Sequence, residues 1–299
     1  MIEGIKKIFR TNRNTHIQRI FEPKIFIDSH LQTHFETYGY VHLKGVIQQL
    51  YIQQFLEIYH ESIHKYDYYS VKNNFLNTMA LRDSNAKHYI KNESSPVIKN
   101  ALAEILDMNC LEIPFGAAYC INPPNAINSC KPHQDPAYVD ETRTYSVIAW
   151  IPLEDIQKDN GCLHILPKSH LWGNDKRSIS MDWAFEKFSL EFWNYLQPII
   201  TQKGDIVIFD AALIHGTNIN TTNKNRVAIN IPLLPRNEQM ITFTATSKNL
   251  GNKYEIDADY YLEEYLFETP SERYKQLDNI KLDNIFSKKE FYNLIKKYQ

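Results

Sequence analysis

Between residues 113 and 246 the chain is a succession of short segments: EIPFGAAYCIN, TYSVIAWIPL, CLHILP, QPIIT, DIVIFD, LIHGTNIN and RVAINIPLL. Each is rich in β-branched or aromatic residues, and Pro, Gly, Asn or Asp breaks each one off. Such side chains fit a pleated surface, and many short strands at this spacing predict an all-β sandwich or jelly roll. The flanks read differently. Residues 28–46 predict a short helix and then a strand at 40–43. Residues 46–66 set Leu50, Phe55, Ile58 and Tyr59 at helical intervals, and 96–108 also read as helix. The last stretch of the chain is charged and tyrosine-rich, which predicts helices and a tail. The expectation is mainly β with flanking α. A jelly-roll core spans 113–246, helices and strands occupy 1–112, and helices and a tail occupy 247–299, all in one domain. With 299 residues and 43% apolar content, the chain can bury a core of that size.

Charge narrows the function. Thirty-three basic against 35 acidic residues leave a net charge of −2 and a pI near 6.6. That argues against a nucleic-acid partner or a polybasic membrane contact. No run approaches the roughly 18 apolar residues of a membrane helix. The first 20 residues are basic but lack the apolar stretch of a signal peptide. Cys110, Cys120, Cys130 and Cys162 form no C-x-x-C pair, so free thiols in a reducing cytoplasm are expected.

The stretch 131–138, KPHQDPAY, sets a histidine and an aspartate two apart, in sequence too proline-rich for a helix. Eleven His and 35 acidic residues make about one such pair expected by chance, and His34-Phe35-Glu36 is another, so the motif counts only with partners. In a strand, residues i and i+2 share a face, so His133 and Asp135 can project together. A 2-His-1-carboxylate iron site needs one further imidazole and leaves its other positions open. His215, 82 residues on, follows the strand signature GDIVIFD. Thr217 shares its face, and Arg226, 11 residues past His215, begins the next strand. A guanidinium offers planar, bidentate hydrogen bonds, so Arg226 and Thr217 suit a bound carboxylate.

Taken in order, these motifs carry a resemblance. H-Q-D is followed by W-I-P-L-x-x-I-x-x-x-N-G-C-L-x-I-L-P-x-S-H, then by G-D-I-V-I-F-D-x-x-x-x-H-G-T and the Arg. The order resembles the phytanoyl-CoA hydroxylase family, whose members are Fe(II)- and 2-oxoglutarate-dependent oxygenases on a double-stranded, cupin-like β-helix. The strongest part spans 131–232, and FETYGYVHLKGVI is similar to the family's opening strand. The resemblance implies His133, Asp135 and His215 as iron ligands. It also implies Arg226 and Thr217 on the far carboxylate of 2-oxoglutarate, Gln134 and Trp150 lining the co-substrate pocket, and Tyr119 hydrogen-bonding there. It implies O2 as oxidant, with ascorbate in support, and hydroxylation of a small metabolite or a carrier-bound intermediate, releasing succinate and CO2. Related halogenases carry a small residue where this chain has Asp135, so hydroxylation or desaturation is expected instead. Lys168 departs from the glycine common at its position, which loosens a turn.

Rival readings attach to other histidines. His60, Glu61 and His64 spell H-E-x-x-H, which on a helix could hold zinc with a general-base Glu. No G-x-x-H follows, so a surface-facing helix is the expectation. His30 and His34 read as a solvated helix face, His164 as a core or rim residue, and His170 as a structural hydrogen bond. Jelly rolls also serve as ligand-binding or sensor modules, so fold alone does not decide catalysis. The stretches 136–145 and 171–196 are the expected walls and lid over the site, offering Tyr138, Trp172, Trp183, Phe185, Arg143, Lys176 and Arg177. Substrate and oligomeric state stay open at this level.

Overall fold

The computed structural model describes residues 19–68, 74–125, 130–282 and 286–298. The reading of the first 20 residues therefore lies outside them, apart from Arg19 and Ile20. Three helices come early: α1 (Ser29–Tyr38), α2 (Gln49–Lys65) and α3 (Ser84–Leu102). Among and after them run β1 (Tyr40–Leu43), β2 (Leu76–Asn77), β3 (Leu111–Glu112), β4 (Ala118–Asn122), β5 (Cys130–His133), β6 (Val147–Pro152) and β7 (Leu163–Ile165). The short α4 (Ser189–Phe192) precedes β8 (Gln197–Ile199), β9 (Ile206–Asp210), β10 (His215–Thr217) and β11 (Arg226–Pro235). The chain continues through β12 (Ile241–Ser247), β13 (Leu250–Glu255), α5 (Ala258–Glu263), β14 (Gln276–Lys281) and α6 (Lys288–Tyr298).

The strands pair antiparallel in three sheets. The largest runs β1-β9-β6-β11-β4-β2, with β3 also on β11; a second runs β5-β10-β7-β8, and a third β12-β13-β14. The central strands β4, β6 and β9 of the large sheet are buried on both faces, so they are almost wholly apolar rather than alternating. Ala149, Ile151, Ile208 and Ile229 turn outward and pack with Phe35 and Phe55 of the helices. Ile148, Trp150, Phe209 and Ala228 turn inward and pack with Leu163 and Ile165 of the second sheet. Each fully buried Phe is worth about 1.5–3 kcal/mol, against about 1 kcal/mol for an N-cap, so burial rather than capping holds the helices down.

Local signals set the ends. Asp28 caps α1 by accepting from the His30 amide, and Gly39 ends it at φ 82°. A Cβ there would stand 2.4 Å from the His170 ring, so glycine is needed to turn directly into β1. The expected β1 is present as read. Three expectations need correction. Leu50 is 61% exposed, because α2 turns Ile52, Phe55, Ile58 and Tyr59 inward instead. The helix expected over 96–108 is α3, 84–102, with Pro96 inside it. Asp83 caps its start, and Pro96 removes one internal donor without ending it. The C-terminal region is not helices and tail alone: β13 and β14 extend a sheet begun by β12.

Candidate metal centre

The site is built where β5 meets β10. His133 and His215 are direct partners across that pair, and the register shifts by a bulge before Thr217 faces Cys130. Gly216 permits the approach: a Cβ on it would meet the Cys130 carbonyl at 2.9 Å. A bulge of this kind re-aims side chains. Asp135 lies just past the end of β5 and is stapled to the turn before His215. Its amide donates to the Ala211 carbonyl (2.9 Å). The Gln134 Nε2 donates to the Ala212 carbonyl (2.7 Å). Asp210 steadies the same turn by accepting from the Ala212 amide (2.7 Å). The two ligand-bearing segments are thus one hydrogen-bonded unit.

Within it, the His133 and His215 rings stand 4.3 Å apart. His133 Nε2 and His215 Nε2 each lie 3.7 Å from an Asp135 carboxylate oxygen. The three donor atoms fall within 4.8 Å of one another, the only such group of His, Cys, Asp and Glu found among the described residues. Each imidazole sets its other nitrogen on a backbone carbonyl: His133 Nδ1 on Lys131 (2.8 Å), His215 Nδ1 on Leu213 (2.9 Å). Those carbonyls can only accept, so each Nδ1 is protonated and each Nε2 is turned toward Asp135, the arrangement metal-binding histidines adopt. Burial and the facing His133 push His215 down to about 4. Burial opposes ionisation of Asp135, but His215, His133 and Arg177 outweigh it and hold the carboxyl below its usual range. Burial opposes a charge on His133, but Cys130 and Asp135 outweigh it and hold its pKa well above the ordinary value, so a divalent cation bound between the carboxylate and the two imidazoles would displace that proton.

Arg226 is 1% exposed, and none of its three guanidinium nitrogens has a hydrogen-bond partner. The Thr217 hydroxyl is buried and unpartnered as well. Burial, only partly offset by the thiols of Cys120 and Cys130 and by Glu154, lowers the Arg226 pKa. A buried, unpaired guanidinium is costly unless an anion meets it. A dicarboxylate co-substrate would supply one, so these residues fit the group.

The remaining expected residues divide. Gln134 rims a cavity of about 360 Å3 that opens onto His133 and Asp135. Trp150 sits on the inward face of β6 in the apolar cluster with Ala228. Tyr119 is a correction. On β4 it shares its face with Ile121, packs on Tyr59 and donates its hydroxyl to the Phe55 carbonyl (2.7 Å). It therefore points away from Arg226, whose cross-strand partner is Asn122. Of the expected walls, Tyr138, Lys176, Arg177 and Trp183 line the cavity, Trp172 and Phe185 are buried in a separate cluster, and Arg143 pairs with Glu238 at the surface. His60, Glu61 and His64 are exposed on α2, and Glu61 accepts from the Tyr89 hydroxyl, so no metal group forms there. His164 packs on Trp193, and His170 bonds the Glu36 carbonyl.

Three further residues were missed. Asn230 and Asn174 line the cavity, each with a buried, unpartnered Oδ1. Glu141 is buried and takes both Arg177 and Arg19. Only Asn230 left a trace in the sequence: it is a polar residue four past Arg226 in an otherwise apolar strand.

A family model described as "Phytanoyl-CoA dioxygenase (PhyH)" matches residues 35–228. Among curated proteins, the chain is 29% identical over 119 residues to "Phytanoyl-CoA dioxygenase 1" of Oryza sativa subsp. japonica, covering 39% of this chain and 42% of that protein. It is 34% identical over 90 residues to the peroxisomal phytanoyl-CoA dioxygenase of Homo sapiens, covering 28% and 26%. The matches thus span less than half of these relatives' lengths. Among solved structures, the chain resembles a non-heme alpha ketoglutarate dependent carbocyclase, SnoK, from nogalamycin biosynthesis (TM-score 0.50, 15% identity, 72% of this chain and 86% of that one). It also resembles EvdO2 of Micromonospora carbonacea var. aurantiaca (TM-score 0.50, 19% identity, 70% and 91%). At these identities the likeness is one of fold: the mainly β, jelly-roll core expected from the strand pattern.

Proposed function

The chain belongs to the phytanoyl-CoA dioxygenase family, and on that premise we propose that it is an Fe(II)- and 2-oxoglutarate-dependent oxygenase acting on a small molecule. The observation that carries this reading is the buried, unpartnered Arg226 guanidinium in the same interior as the His–Asp–His group. A positive charge so placed calls for an anion, and the far carboxylate of 2-oxoglutarate is one. His133, Asp135 and His215 would hold the iron, Arg226 and Thr217 that carboxylate, and Gln134 the rim between them. When bound, Fe(II) couples decarboxylation of 2-oxoglutarate by O2, giving succinate and CO2, to hydroxylation of an unactivated C–H bond.

The chain's own groups supply positioning. The carbonyls of Lys131 and Leu213 keep both imidazoles in the ligating tautomer. Arg177 donates through Nε to the Asp135 carbonyl (2.8 Å) while Glu141 grips its other end, which holds the ligand loop against the cavity wall. Asp135 leaves no vacant carboxylate position for a halide, which favours hydroxylation or desaturation. The reading takes 1–299 as one such domain, acting in a reducing compartment that keeps its four cysteines free; among the described residues no helix is long and apolar enough to cross a membrane.

The test is succinate release by the purified protein under air with Fe(II), ascorbate and 2-oxoglutarate, alone and with pooled small molecules. Release that rises with a matching pool is expected. No succinate with any pool would leave a jelly roll that binds ligands without turning them over.

A further inference from the structure

The cavity above Asp135 limits what can enter it. Its volume, about 360 Å3, is at the small end for ligand sites, and Phe75, Phe115, Tyr138, Ile148, Met181 and Tyr261 give it an apolar and aromatic wall. Two cations stand among its lining residues. Arg177 is held by Glu141 through two nitrogens and by the Asp135 carbonyl through its third. The Lys176 ammonium donates to the Lys281 carbonyl (3.2 Å), and Asp182 adds a carboxylate to the wall nearby. Of the two cations, the Lys176 ammonium keeps donors for an anion, which is little for a polyanionic group such as the coenzyme A phosphates.

Two acceptors, by contrast, are free. Trp183 Nε1–H can only donate, and it donates to Gln134 Oε1 (3.1 Å). The Ala212 carbonyl can only accept, and it takes Gln134 Nε2 (2.7 Å). Those two bonds fix the orientation of the Gln134 amide. Gln134 Oε1 also takes Asn174 Nδ2 (3.0 Å), so the Asn174 orientation is fixed in turn. Its Oδ1 is left buried at the cavity with no partner. Asn230 stands on the inward face of β11 with Ala228 and Pro232, and its Oδ1 is buried and unpartnered; no hydrogen bond fixes the turn of its amide, so it meets a hydroxyl as acceptor or as donor. Buried acceptors of this kind are left to a ligand or to water.

We propose, resting on the oxygenase reading, that the substrate is a neutral, mostly hydrocarbon molecule that presents two hydrogen-bond donors, hydroxyl or amide N–H, to Asn174 and Asn230, and that it enters free rather than as a coenzyme A thioester. The two amides grip the polar end, and the aromatic wall sets a C–H bond over Asp135.

The test is calorimetric. Protein loaded with Fe(II) and 2-oxoglutarate without air is titrated with matched ten-carbon triplets on linear, cyclic and aromatic frames: a vicinal diol, its dimethyl ether and the corresponding acyl-coenzyme A. A diol should bind on at least one frame, with the ether about tenfold weaker and the thioester no tighter than the ether. In Asn230→Leu and Asn174→Leu, with folding checked by circular dichroism and melting, the diol–ether ratio should fall to about threefold or less. An ether equal to its diol, a thioester that displaces the diol, a ratio unchanged in both folded variants, or no diol bound on any frame would overturn the proposal. Succinate release under air with the pooled small molecules reads the iron assignment separately. Its absence with every pool, alongside an intact diol preference, would sink the oxygenase reading and spare the pocket.

Discussion

Asp135 stands where three influences meet: two imidazoles in front, Arg177 behind its carbonyl and the Ala211 turn beneath its amide. Removing the carboxylate alone should therefore spare the fold and abolish the metal. We expect Asp135→Ala to lower iron affinity on the order of hundredfold or more, read as metal content after gel filtration. Full iron content would exclude the ligand assignment. Arg226 gives a different kind of test, because an unpaired buried charge burdens the empty protein. Arg226→Met should raise the melting temperature without 2-oxoglutarate by a few degrees and erase the shift that 2-oxoglutarate gives the parent. A variant still stabilised by the diacid would count against the pocket. His64→Ala, on an exposed face, should leave succinate release within a few-fold; total loss would revive the zinc reading. These ligating residues could be read in advance because an i, i+2 pair and a strand-flanked histidine leave local marks. Tyr119 could not be placed. Every residue of AYCIN is buried, so no polar alternation reveals the phase of that strand. Lys168 sits at φ 67°, a backbone conformation in which glycine is at ease.

At the scale of elements, the loop carrying Asp135 is tied to the following wall by one buried network. Glu141 receives both outer nitrogens of Arg177 and also Arg19, while Arg19 reaches on to Asp210 at the end of β9. Removing Glu141 leaves the buried Arg177 without a carboxylate and Arg19 with Asp210 alone, and breaking such a buried pair costs about 3–5 kcal/mol. Glu141→Gln should lose that much in urea unfolding, with the cavity wall opening first to proteolysis. The network is also sensitive to acid. Burial opposes ionisation of Glu141, but the two arginines overcome it and hold the carboxyl at about 2, against an ordinary 4.5. A depressed carboxyl contributes its stability above pH 4.5 and loses it as pH falls from there toward 2. The parent should therefore lose stability steeply across that window and Glu141→Gln should not, as denaturant titrations at pH 5, 4 and 3 would reveal; equal slopes would place the acid sensitivity elsewhere. The elements that the sequence disguised are those with weak periodicity. α3 buries Lys87 and Ser94 among Ala86, Ile90 and Ile98, which blurs its apolar stripe, and β14 buries only Ile280, so neither announces its face.

For the whole molecule, the core was legible because the central strands of the large sheet are apolar on both faces, and continuous β-branched runs announce that arrangement. The third sheet was not, since its outer strand is mostly exposed and its residues are polar. Ligand binding should act on the molecule as a whole. Iron and 2-oxoglutarate at about a hundred times their dissociation constants should each add roughly 2.7 kcal/mol, so a chelator should lower the melting temperature by several degrees. A melting curve indifferent to chelator would mean that the ion is not held in the native state. One strand has a longer reach than any of these effects. β11 sets Arg226 at one end of its inward face and Asn230 four residues along, roughly 13 Å away at the usual rise. The anchor for the fuel and the selector for the cargo therefore sit on a single rigid bar, far enough apart that one can be exchanged without disturbing the other. A lineage built on this bar can change its diet by single substitutions while keeping its engine.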